Sequence, residues 1–76
     1  MSVIVTNPEE DIIYSIICKN TDKFNKIENI FIEKFIEYSE TEYYFTHKNK
    51  NKIRKIASLQ ENNICDNDII ILNVIE

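Results

Sequence analysis

Apolar positions change their period several times along the chain, and each change marks an element. Val3-Ile4-Val5 is a β-branched run closed by Thr6-Asn7-Pro8, and after the polar stretch Glu9-Glu10-Asp11 a second apolar run extends from Ile12 to Cys18. Two such runs separated by turn residues predict a pair of strands. In the second run Tyr14, Ile16 and Cys18 share one face, while Ile13, Ser15 and Ile17 share the other. Ser15 and Lys19 mark the latter face as solvent-exposed, so the Tyr14/Ile16/Cys18 face is assigned to the core.

Asn20-Thr21-Asp22 offers a turn and an N-cap. From Lys23 to Tyr38 the apolar residues Phe24, Ile27, Phe31, Phe35 and Tyr38 recur at steps of three and four. That spacing predicts a helix with one apolar stripe, which Ile30, Ile32 and Ile36 widen while Glu28, Lys34 and Glu37 lie elsewhere. Ser39-Glu40-Thr41-Glu42 breaks the helix, and Tyr43-Tyr44-Phe45-Thr46 restores β propensity. His47 to Lys52 reads as a loop, Ile53 to Ile56 as a short strand or extended segment, Ser58-Leu59-Gln60-Glu61 as a turn of helix, and Asp68 to Ile75 as a final strand. The order ββαββ predicts an α+β domain: a mixed sheet of four to five strands with one helix packed across it and the first and last strands side by side at the centre.

Composition narrows the picture. With 76 residues the chain suffices for one small domain, 1–76, that buries about 60% of its unfolded surface and leaves no room for a deep substrate cavity. A formal charge of -4 argues against general nucleic-acid binding. No apolar run approaches the ~20 residues of a membrane-spanning helix, and no secretion signal is evident at the N-terminus. Cys18 and Cys65 are far apart, form no CxxC pair and suggest a reducing compartment, the cytoplasm or the nucleus. Isoleucine and asparagine are over-used, a bias read here as that of an AT-rich genome.

The chain contains no glycine. Phosphate loops, dinucleotide fingerprints and nucleophile elbows are thereby excluded. Asparagine is the natural substitute where a turn needs positive φ, and Asn7, Asn20, Asn49, Asn51, Asn62, Asn63 and Asn67 all stand where turns are expected.

The stretch from Ser58 to Leu72 resembles the ubiquitin-like β-grasp family: a leucine (Leu59), a short helical turn, an isoleucine (Ile64), a turn at Asp66-Asn67-Asp68 and a final strand. Upstream, Phe24, Ile27 and Phe31 match the family's sheet-packing helix positions, and Tyr43 and Phe45 the inward residues of its third strand. The resemblance covers the whole chain as a pattern of apolar positions. It implies that Leu59 and Ile64 plug the open end of the sheet. Conjugated members carry paired glycines at a flexible end, whereas Asn73-Val74-Ile75-Glu76 has none. A tail-less, non-conjugated member is therefore expected, and the loop from His47 to Lys52 is longer than the family's usual turn.

Recognition in ubiquitin-like domains commonly uses the outward face of the third and last strands. Carried onto this sequence, the resemblance implies a partner-binding face of Tyr44, Ile69, Ile71 and Asn73, with Ile4 near it. A register shift of one would exchange the two faces, and the plain alternative is scattered apolar surface. A second feature is basic: Lys48, Lys50, Lys52, Arg54 and Lys55, beside His47, hold five of the nine basic residues. This loop could meet an acidic partner, an anionic headgroup or a phosphate, with Glu33, Glu37, Glu40 and Glu42 as a complementary acidic side. The simpler reading is a solvated loop kept soluble by lysine. No aromatic residue interleaves the basic ones, as a single-strand nucleic-acid platform would require.

Catalytic chemistry is thinly supplied. His47 is the only histidine, Cys18 reads as core and Cys65 as a turn residue. Asp66 and Asp68 make half of a calcium loop without its glycine or distal glutamate. Neither catalytic residues, metal site nor cofactor is expected. The expected function is that of a non-catalytic protein-protein interaction domain, an adaptor or the N-terminal part of a larger protein. Two alternatives keep the fold: an accessory protein similar to the tail-less ubiquitin-like proteins of bacterial type VII secretion systems, or a domain binding a small GTPase or phosphoinositide through residues 47–55.

Overall fold

The computed structural model describes residues 1–48 and 51–75. It contains strands β1 (Ser2–Asn7), β2 (Ile12–Ile17), β3 (Tyr43–His47) and β4 (Ile69–Val74), and one α-helix, α1 (Phe24–Lys34). The sheet order is β2-β1-β4-β3, with β1 and β4 parallel at the centre and both outer pairs antiparallel. Alternation of apolar residues puts Val3, Val5, Ile16, Phe45, Ile70 and Leu72 on one face, where they are buried with Phe24, Ile27 and Phe31 of α1. The expected ββαββ order, central pairing of the first and last strands and core face of β2 are all present.

The β1–β2 turn closes without glycine. Asn7 accepts the Glu9 N–H at 3.2 Å, Pro8 opens a short 3₁₀ turn (Pro8–Glu10), and Asp11 adopts the left-handed conformation with φ 56°. The stretch Asn20-Thr21-Asp22 does not supply the expected N-cap: Lys23 occupies the cap position with no side-chain bond, and the Asp22 carboxylate accepts the Lys19 N–H at 2.9 Å. The orphan amides at the start of α1 are satisfied from elsewhere. Phe24 donates to the Ala57 carbonyl at 3.0 Å and Asn25 to that of Lys55 at 2.9 Å.

α1 ends four residues before the expected Tyr38, and a 3₁₀ turn (Ile36–Glu40) follows. Aromatic and β-branched residues crowd this end of the helix, where intrinsic propensity is weak and packing decides. Phe35 stands edge-on to Tyr14 at 5.6 Å, and the turn delivers Tyr38 to the β1–β2 turn. There its hydroxyl donates to Glu10 at 2.7 Å and accepts from Asn7 at 2.9 Å. Ile30 and Ile32 pack against the core, but Ile36 is exposed.

Ile53 to Ile56 forms no strand. Beyond a single bridge between Thr46 and Lys52, the chain leaves the sheet after Ile53, whose N–H donates to Phe45 at 3.1 Å. Asn62 is the cause. Its amide oxygen accepts the Arg54 N–H at 3.0 Å, and its amide nitrogen donates to the carbonyls of Arg54 and Ser58 at 2.9 and 3.0 Å. Those bonds fold residues 54–62 into a loop. Ser58 and Glu61 satisfy each other's backbone amides at 3.0 Å, the reciprocal pairing of a capping box, although the segment is a hydrogen-bonded turn and not a regular helix. Leu59 and Ile64 are both buried in the common core.

Candidate interaction surface

The period of a strand is two, so every residue that alternates with the core faces the other way. Register then fixes the neighbours on the outer face. Ile4 stands beside Ile69, Thr6 beside Ile71 and Ile13, Ile71 beside Thr46, and Asn73 beside Tyr44. The residues expected on this face, Tyr44, Ile69, Ile71, Asn73 and Ile4, do share it. Ile69 is 45% exposed, and Ile4, Tyr44, Ile71 and Asn73 are half-buried.

Side-chain chemistry divides these residues. Asn73 donates to Tyr44 O at 3.3 Å, Thr46 Oγ1 at 3.1 Å and Ile71 O at 3.1 Å, so its amide locks β3 to β4. Lys52 lies over the Tyr44 ring at 5.3 Å from its centroid, covering part of that ring with a cation. A shallow groove of ≈ 340 Å³ runs between the Asn7-Pro8-Glu9 turn and Tyr44, Ile71 and Asn73. The apolar face also extends further than expected. Ile13 and Ile17 of β2 are 75% and 87% exposed and lie on the same side as Ile4 and Ile69. Their parity with Ser15 placed them opposite the core; only the strand register puts Ile13 next to Thr6 and Ile17 next to Ser2.

The basic loop does not form one patch. His47 is the last residue of β3, faces inward and is buried, with its Nε2 at 2.7 Å from Asp68 Oδ2. Period two puts it on the same side as Phe45, which adjacency to lysines in the sequence conceals. Lys48 also reaches Asp68, at 3.2 Å. Arg54 donates to the Glu61 carbonyl at 3.3 Å, and Lys55 pairs with Glu28 at 2.6 Å beneath the Tyr43 ring. Three described cations besides Lys52 and His47 thus answer to separate partners, Lys48 to Asp68, Arg54 to the Glu61 carbonyl and Lys55 to Glu28. Lys50, like Asn49, lies outside the described residues. The acidic residues Glu33, Glu37, Glu40 and Glu42 are exposed.

Asp68 is buried and central to this corner. The Cys65 N–H holds its carboxyl below the ordinary value of 3.8, with His47 and Lys48 acting in the same direction against desolvation. Tyr43 moves oppositely: burial, reinforced by the Glu28 carboxylate, pushes its hydroxyl up to about 12. Cys18 is buried, which raises its thiol, and Cys65 is exposed; both are free. Among the described residues no group of three or more His, Cys, Asp or Glu side chains converges as a metal site, and no helix is long and apolar enough to cross a membrane.

A mixed sheet with parallel central strands, ordered β2-β1-β4-β3 and crossed by one helix, defines the ubiquitin-like β-grasp fold. A solved structure that shares it is that of a ubiquitin-like protein from the hyperthermophilic archaeon Caldiarchaeum subterraneum, with a TM-score of 0.61 and 10% sequence identity over 100% of this chain and 97% of that one. No protein-family model and no curated protein matches the chain.

Proposed function

We propose that residues 1–76 act as one non-catalytic ubiquitin-like domain that docks protein partners, non-covalently, on the outer face of its sheet. The observation that carries this reading is the apolar surface built by Ile4, Ile69, Ile71 and Tyr44 and continued by Ile13, on the side of the sheet away from α1. Contiguous exposed apolar surface of this kind marks partner sites, and an aromatic ring amid aliphatic neighbours is a typical anchor. The groove beside Tyr44 and Ile71 gives a partner side chain somewhere to enter. Two free thiols support work in a reducing compartment, the cytoplasm or the nucleus.

The test is retention of partners from the source organism by immobilised wild-type protein and by a Tyr44→Ala/Ile71→Asp variant. Both residues are only half-buried, so the variant keeps its circular dichroism spectrum and its two-state unfolding. It loses the partners that the wild type holds. Partners held through the apolar face persist as salt is raised, whereas steep loss with salt points to the lysines of residues 47–55. Undiminished retention by the folded double variant sinks the proposal.

A further inference from the structure

The sheet has two lateral strands, and they are not alike. β3 is partly closed on its outer side: His47 N–H donates to Asn51 O at 3.0 Å, and Phe45 O accepts from Ile53. β2 has only β1 beside it, and no backbone hydrogen bond joins Ile13, Ser15 or Ile17 to another segment among the described residues. Natural edges are usually guarded by lysine, proline or a bulge. Ile12–Ile17 contains none of these and no charge at all.

The direction of the β2 amides follows from its last pairing. Cys18 N–H donates to Met1 O at 2.8 Å, and the Met1 ammonium donates to Cys18 O at 3.0 Å, which is the hydrogen-bonded kind of antiparallel pair. Alternation then turns Ile16, Tyr14 and Ile12 towards β1 and leaves the N–H and C=O groups of Ile13, Ser15 and Ile17 pointing off the sheet.

We propose that a second copy of this chain occupies this edge, with β2 paired antiparallel to its own copy about a two-fold axis through Ser15. In that register Ser15 stands opposite the partner's Ser15, and Ile13 opposite the partner's Ile17. All of these residues carry outward amides, so every pair exchanges two backbone hydrogen bonds. The flanking charges select this register. Asp11 and Lys19 bracket the strand, both exposed and neither in an ion pair among the described residues. The two-fold axis sets each Asp11 against the partner's Lys19 at both ends of the ladder. A shift of two residues keeps the amide directions but sets Asp11 or Lys19 against isoleucine.

The dimer covers Ile13 and Ile17, the most exposed apolar residues of the sheet, and joins two four-stranded sheets into one. The two surfaces meet only at Ile13; Tyr44, Ile69 and Ile71 lie on β3 and β4, away from the β2 edge, so the Tyr44→Ala/Ile71→Asp variant leaves this edge intact.

Sedimentation velocity of the full chain over a concentration series reads the association directly. The wild type passes from monomer to dimer mass as concentration rises. Ser15→Lys and Ser15→Glu each set like charges against one another on the axis and weaken dimerisation about fivefold or more. Ser15 is exposed, so both variants fold like the wild type. An equimolar mixture of the two recovers dimer, because lysine then faces glutamate. A wild type that stays monomeric throughout, variants that dimerise like the wild type through some other surface, or a mixture no tighter than its components would each overturn the proposal.

Discussion

Asp11, Asn63 and Asn67 hold φ values of 56°, 58° and 64°, the left-handed conformations that glycine would ordinarily supply. Asparagine and aspartate tolerate them because their short polar side chains do not crowd the backbone. Asn63 is the cleanest place to measure this, since its side chain is exposed and its amide simply closes a turn to the Gln60 carbonyl at 3.0 Å. Asn63→Ala should lower the unfolding free energy by about 1 kcal/mol, and Asn63→Gly should leave it nearly unchanged; equal losses in urea denaturation would contradict the assignment. Composition alone reveals that something must replace glycine, and Asn63 and Asn67 do so. It does not reveal that Asn7 and Asn62 serve through their side-chain amides, or that Asp11 takes a left-handed position.

At the scale of elements, the segment from Asn51 to Asp68 is the least regular and among the most consequential. It supplies Leu59 and Ile64 to the core, satisfies the N-terminus of α1, and ends by pinning the start of β1. Asp66 accepts the Ser2 N–H at 2.8 Å, Asn67 N–H donates to Ser2 O at 2.7 Å, and Ile4 N–H donates to Asp68 O at 2.9 Å. Leu59 is fully buried, so Leu59→Ala should cost about 2–5 kcal/mol through lost burial and the cavity left behind. Ile56→Ala, at a residue 80% exposed, should change stability by no more than about 0.5 kcal/mol in the same denaturation series. Strands β1, β2 and β4 were legible from their periods, and so was the stripe of α1. The choice between a strand and an extended segment at Ile53 to Ile56 was not, because β-branched Ile53 and Ile56 carry local preference only, and the bonds from Asn62 that hold the segment as a loop come from further along the chain.

For the molecule as a whole, opposite shifts of buried Asp68 and half-buried Tyr43 bound the range of stability. The Asp68 carboxyl is depressed, so the folded chain binds that proton less tightly than the unfolded one. Its stabilisation is present above about 3.8 and is lost as pH falls through the lower folded value. The Tyr43 hydroxyl is raised, so its stabilisation is present below the ordinary value of 10.0 and is lost as pH climbs towards about 12; Tyr38 acts in the same direction. Unfolding free energies measured across pH should therefore fall at both ends. Tyr43→Phe should flatten the alkaline limb and remove the last phenolate to titrate by ultraviolet absorbance. An alkaline limb unmoved by that substitution would show that Tyr43 is not its source.

Local order in the amino-acid sequence determined the α+β class, the core parity of the strands, the helix stripe and the residues available to the outer face, because period two and period 3.6 are properties of neighbouring residues. Tertiary structure alone decided which strands lie side by side, that His47 turns inward to Asp68, that the loop cations scatter to separate partners, and that β2 is left as an unguarded edge. Each of those facts depends on contacts between residues distant in the chain, where the balance of burial, desolvation and pairing is set by the assembled fold and not by any local pattern.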